Sequence, residues 1–431
     1  MGSMDHLPDE VLIKILSSLP TKEAVSTSAL SKRWRTLFSY NLSLDFNNST
    51  ILLQSRKRKH KMRSTAESFR DFVDKTLALQ SGNPMKSFSL NFKETLGDEN
   101  SVADVNRWIL HALKHGVSEL HLRIGTKKRS YFPTEIFTST TLVKLSLVAQ
   151  CYTSFLPLNI SLPALKVLFL DSSWFDSTRF GNALIPACPV LEDFTIYQKA
   201  RSIGMPYAIS SKSIKRLSVT YNCPLFVAYG IELFNTPGVV DLYYSDHVRH
   251  CYPNCHLESV AKATLDIHFL DDNAADVTEL LTGICNVKSL HLTSSTVEVI
   301  LLCCKGGIPT FENLVKLEFS GRTRKWKFLL PLLLECCPNL KTLVLSGLDQ
   351  NWLEAIHIPP NNQVKMLRIM NYRGTTRELK FMSHFLARME CLEAVKIHVA
   401  PRVDDSKKEQ LTEDLLKLPT TTSSSLNVQV M

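Results

Sequence analysis

One short phrase, L-x-x-L-x-L and its conservative variants, recurs along most of this chain and restricts what it can fold into. It reads VSELHLRI, LVKLSLVA, LKVLFLDS, LEDFTIYQ, IKRLSVTY, VVDLYYSD, AKATLDIH, VKSLHLTS, LVKLEFSG, LKTLVLSG, VKMLRIMN and LEAVKIHV. The central apolar residues are Leu120, Leu145, Leu168, Phe194, Leu217, Leu242, Leu265, Leu290, Leu317, Leu343, Leu367 and Val395, and neighbours in this series are 23 to 28 residues apart. A single such phrase fits any half-buried strand. A long series at near-constant spacing means stacked units, each with one strand and one return connection, that bury one another's flanks because none can bury its own. A weaker copy, MKSFSLNF around Phe88, begins the series.

The period is that of leucine-rich repeats, which predicts an α/β solenoid of parallel strands with a small all-helical module in front of it. The expected division is 4–45 for the helical module, 46–80 for a basic linker, 81–355 for the repeats and 356–431 for a C-terminal segment that continues the solenoid. Between strands the chain returns along the outer side. In ACPVLEDF and CCPNLKTL, Cys188 and Cys337 precede Pro189 and Pro338, as small buried side chains at the end of an outer helix would. The 11 cysteines are an odd count with adjacent pairs and read as reduced thiols of an intracellular protein, not as a disulfide framework. The longest apolar stretches, such as FLLPLLL at 328–334, are far too short to span a membrane, and neither a signal peptide nor a myristoylation motif is expected.

The stretch LPDEVLIKILSSLPTKEAVSTSALSKRWRTLF, residues 7–38, has a different period. Val11, Leu12, Ile15, Leu16 and Leu19 recur at helical spacing, Pro8 suits a first helical turn, Pro20 ends the helix, and Thr21 and Ser31 are candidate N-caps. Three short helices follow from this, in a unit too small to bury much of its own surface. After it, RKRKHKMR at 56–63 supplies much of the net charge of +9. Such a run marks a solvated linker or a nuclear-import signal, so the expected location is nucleus and/or cytoplasm. Having no interleaved aromatics, it is a poor nucleic-acid site.

The opening stretch resembles an F-box, carried by Leu7, Pro8, Val11, Leu12, Ile15, Leu16, Leu19, Pro20, Ala24, Leu30, Ser31, Arg33 and Trp34. Downstream, IPPNNQVKMLRIMNYRGTTRELKFMSHFLARMECLEAVKI is similar to the FBD segment of plant F-box/leucine-rich-repeat proteins, through Pro359, Leu367, Ile369, Arg373, Gly374, Glu378, Leu379, Phe385, Leu386, Leu392 and Ile397, with a shorter lead-in at NNQV. The resemblance implies a substrate-recognition subunit of a Skp-cullin-F-box (SCF) ubiquitin ligase. Its F-box would dock on the Skp-type adaptor, and through it on cullin and RING subunits, while the repeats hold a target protein. The implied adaptor-binding residues are Leu7, Pro8, Val11, Leu12, Ile15, Leu16, Leu19, Pro20, Leu30 and Trp34. A scaffold or sequestering protein without degradation is the alternative, and a nuclear nucleic-acid-associated factor a weaker one.

No P-loop, G-x-S-x-G, HExxH or kinase signature is present, so neither catalytic residues nor a cofactor are expected. DHVRHCYPNCH offers His247, His250, Cys251, Cys255 and His256, but without C-x2-C spacing, and no metal site is expected there. Recognition then falls to the residues that alternate with the buried leucines and line the concave face. The candidates are Phe169 and Tyr243 as anchors, with Asp266, His291, Glu318 and Arg368 setting selectivity.

Overall fold

The computed structural model describes residues 6–48, 59–80, 82–93, 101–125, 132–149, 156–172, 180–198, 208–221, 234–249, 252, 255–269, 275–320, 325–347, 357–360, 362–401, 405–418 and 426–431. Two compact units divide the chain, Met1–Tyr207 and Ala208–Met431. Among the described residues no helix is long and apolar enough to cross a membrane.

The first unit opens with three helices, α1 (Asp9–Ser18), α2 (Thr21–Thr27) and α3 (Lys32–Ser39). Pro8 and Pro20 precede the first two, and the Ser31 hydroxyl accepts from the Trp34 backbone N–H at the start of the third. Leu12, Leu16, Ala24, Trp34, Leu37 and Phe38 fill the space between them. Arg33 ties α3 to α1 through Asp9 at 2.6 Å and the Leu7 carbonyl at 2.8 Å.

The solenoid of this unit begins earlier than expected. Strand β1 (Ser43–Asn47) pairs in parallel with β2 (Ser87–Lys93), placing Leu44 beside Phe88 and Phe46 beside Leu90. Nor is 46–80 simply a linker: Lys59–Leu79 is helix α4, and Phe69, Val73 and Leu77 on it are buried. Phe69 meets Trp108 of α5 (Ser101–Lys114) edge-on at 6.1 Å, and the Trp108 indole N–H donates to Asp74 at 2.7 Å. The basic run is rich in charge, but an apolar residue every four positions follows it, and that spacing decides the structure. Residues 56–58 and the side chains up to residue 66 lie outside the described residues, so the import reading of this run does too. Strands β3 (Glu119–Gly125), β4 (Lys144–Ala149), β5 (Val167–Ser172) and β6 (Asp193–Gln198) continue in parallel, with Phe88, Leu120, Leu145, Leu168 and Phe194 in one inward row.

The second unit repeats the plan in β7 (Arg216–Tyr221), β8 (Asp241–His247), β9 (Lys262–His268), β10 (Ser289–Leu292), β11 (Lys316–Ser320), β12 (Thr342–Ser346), β13 (Met366–Tyr372), β14 (Ala394–Val399) and β15 (Asn427–Val430). Their inward row is Leu217, Leu242, Ala263, Leu290, Leu317, Leu343, Leu367, Val395 and Val428. Leu265 was expected in this row, but Ala263 occupies it and Leu265 pairs with Leu292. Both face inward, so the shift of two residues preserves the buried face. The connections carry α6 (Thr278–Gly283), α7 (Ser294–Cys303), α8 (Trp326–Cys336), α9 (Thr376–Leu386) and α10 (Asp405–Leu416). Glu378 is buried at the start of α9 and closes a capping box with Thr375. Before that helix Gly374 has φ +72°, and a Cβ there would overlap Leu411, so glycine is required twice over.

Candidate adaptor and recognition surfaces

The ten residues expected to touch an adaptor separate into two sets. Leu12, Leu16 and Trp34 are buried within the chain, where they belong to the core of the helical unit. The helical stripe that made them conspicuous is the unit's own core. Leu7, Pro8, Val11, Pro20 and Leu30 are exposed, Leu30 to 70%, while Ile15 and Leu19 are half-buried. Tyr40 and Leu42 are exposed apolar residues of the same unit that periodicity did not mark, because they follow α3 where the helical spacing has ended.

The six recognition candidates all stand on strands, on the face turned away from the inward row. Phe169 belongs to the first unit, half-buried between Ser146 and Thr195. In the second unit one outer row runs through Tyr243, Thr264, His291, Glu318, Val344, Arg368, Lys396 and Gln429. Because β9 is phased on Ala263, Asp266 stands two residues beyond this row. Its carboxylate accepts from Thr293 at 2.8 Å, Ser295 at 3.1 Å and Ser245 at 3.2 Å, which braces the start of α7. Burial alone would push this carboxyl up, but the hydroxyl donors and nearby His268 outweigh it and hold it below its ordinary value. Glu318 is likewise engaged, by Lys316 at 3.1 Å and His291 at 4.0 Å.

DHVRHCYPNCH has a structural use that its ligand-type residues did not announce. Asp246 and Arg249 form a buried ion pair, with the Tyr244 hydroxyl donating to the Asp246 carboxylate at 2.8 Å and the Arg249 guanidinium over the Tyr221 ring. His250 and Cys251 lie outside the described residues, and among the described residues no group of three or more His, Cys, Asp or Glu side chains is placed to hold a metal. Burial pushes the thiols of Cys188 and Cys337 up to about 12, so both stay protonated at neutral pH.

The F-box domain model matches residues 4–44, the helical unit with its exposed patch. A model described as the LRR repeats of the FBD-associated F-box protein At5g56370 matches residues 105–246. The putative F-box/LRR-repeat protein At3g42770 of Arabidopsis thaliana is 68% identical over 99% of this chain and 80% of its own length. This chain belongs to the F-box/LRR-repeat family. Further members from the same plant are the putative F-box protein At3g44060, 51% identical over 99% of this chain and 100% of its own length, and the F-box/LRR-repeat protein At3g60040, 41% identical over 96% and 94%. Membership in the F-box/LRR-repeat family accounts for the order of the parts: a small helical unit with apolar side chains left in solvent, ahead of strands whose outer face varies residue by residue.

Proposed function

We propose that this F-box/LRR-repeat protein is the substrate-recognition subunit of an SCF ubiquitin ligase, docking on a Skp-type adaptor through its helical unit and holding a target protein on the outer face of its strands. Proteins of this family generally serve as such subunits and are typically non-catalytic. The observation that carries the reading is the exposed set Leu7, Val11 and Leu30 on a unit that matches the F-box. Apolar side chains that a small helical unit leaves in water are what a partner's groove covers. The mechanism is tethering: a target held beside the charged ubiquitin-conjugating enzyme presents its lysines at a raised effective concentration, and no side chain of this chain acts as nucleophile or base.

Val11→Glu with Leu30→Glu tests this. The double variant should stay folded and lose the Skp-type adaptor, and with it the cullin, in co-purification, because a charge buried at such an interface is heavily penalised. Undiminished recovery of adaptor and cullin by the variant would overturn the docking assignment. Adaptor recovered without cullin by the wild type would favour a non-degradative scaffold.

A further inference from the structure

Charged residues on neighbouring strands are arranged by a rule in this protein. Where two fully charged side chains are register partners among the described strands, Glu119 faces Lys144, and Asp241 faces both Lys262 and Arg216. Glu119–Lys144 closes at 3.3 Å and Asp241–Lys262 at 3.0 Å. Arg368 of β13 and Lys396 of β14 break the rule, as register partners of like sign. Neighbouring strands lie about 4.8 Å apart, and like charges directly opposite one another destabilise a sheet.

Among the described residues no carboxylate is paired with either cation. The nearest outer-row carboxylate, Glu318, is held by Lys316 and His291, and Val344, buried, stands between it and Arg368. Glu393 is paired with Lys365 at 2.6 Å, and Glu378 is closed in its capping box. Arg368 donates through Nε to the thioether of Met366 at 3.3 Å, and among the described residues no ion pair holds its Nη fork on a carboxylate. Met366, Met370 and His398 border the pair, all half-buried. A guanidinium fork recognises a carboxylate through two parallel hydrogen bonds, an ammonium adds a point charge, and flanking methionines reshape around apolar neighbours.

We propose that the outer face around Arg368 and Lys396 takes an acidic segment of the target protein, with carboxylates on the two cations and apolar side chains against Met366 and Met370. This deepens the receptor reading and rests on it for the word target, but the binding surface is testable without any ligase subunit.

The probe is a short fluorescein-labelled peptide of alternating glutamate and leucine, titrated into the full chain alone and followed by anisotropy. It should bind more tightly than its glutamine counterpart. Arg368→Ala with Lys396→Ala should weaken it at least about tenfold, whereas Lys288→Ala with Lys341→Ala, which removes the same charge from exposed positions at the strand entries, should change it less than about twofold. Arg368→Lys should give an intermediate loss, and Arg368→Glu with Lys396→Glu should transfer the preference to a lysine–leucine peptide. Equal weakening by both alanine pairs, no preference for glutamate over glutamine, or tighter binding of a phosphoserine peptide or an oligothymidylate would overturn the assignment. Peptide binding that survives when no cullin co-purifies would leave this surface standing and remove the ligase reading alone.

Discussion

Arg249 sits where an isolated charge costs most: it is 3% exposed and Asp246 2%, and each depends on the other. Burial pushes the Asp246 carboxyl above its usual range while Arg249 and the Tyr244 hydroxyl restrain it. Arg249→Met should therefore cost about 3–5 kcal/mol in urea unfolding, because it strands a buried carboxylate, and adding Asp246→Asn should recover most of that loss. In Arg249→Met the folded carboxyl titrates above its unfolded value near 4, so the folded form binds a proton that the unfolded form releases, and the deficit should narrow as pH falls toward that value. A deficit that is flat with pH, or untouched by the second substitution, would mean that Arg249 acts through packing alone. None of this is legible in DHVRHCYPNCH, whose histidines and cysteines offer neither metal spacing nor a hint of the ion pair; a buried pair three residues apart becomes visible only when the chain folds back over Tyr244.

At the level of the element, alternation divides each strand into a half that holds the fold and a half that is free to face outward. Leu317 and Leu343 are fully buried register partners, and alanine at either should cost about 2–5 kcal/mol. Alanine at Tyr243, which is 37% exposed, should cost less than about 1 kcal/mol, with thermal midpoints and hydrogen exchange read together because a solenoid need not melt in one step. If Tyr243→Ala is the more damaging, the outer row is performing the core's task. The repeating phrase made the strands and their inward face readable without a structure. Its phase on β9 was not, because AKATLDIH offers Ala263 and Leu265 on the same face, and leucine is the more conspicuous of two inward residues. Strand β1 was missed because SLDFN carries no leading L-x-x, and α4 because a cationic run hid Phe69, Val73 and Leu77 behind it. In the helical unit the stripe identified the right helices but mixed the core, Leu12 and Leu16, with the exposed patch, Val11 and Leu30, since a periodic stripe in a small unit contains both.

On the scale of the whole molecule, the helical unit and the repeats of the first unit are not separable parts. The Phe46 ring lies 5.8 Å from that of Phe88 and 5.9 Å from that of Phe72 on α4, so β1 covers the start of the sheet. Removing residues 1–48 should bare β2, lower the melting temperature and produce aggregates in light scattering, while Val11→Glu with Leu30→Glu stays monodisperse. A truncated chain that remained monodisperse with an unchanged melting temperature would make the helices an independent appendage. In the second unit, β15 is four residues long, none of them fully buried, and among the described residues it pairs with β14 alone. An unpaired strand side is a template onto which another chain can crystallise its own backbone, and the brevity of β15, with polar Asn427 and Gln429 alternating along it, keeps that template short. An affinity tag rich in β-branched residues fused directly after Met431 would lengthen it into a seed for fibrous association, so a flexible glycine–serine spacer belongs between the two.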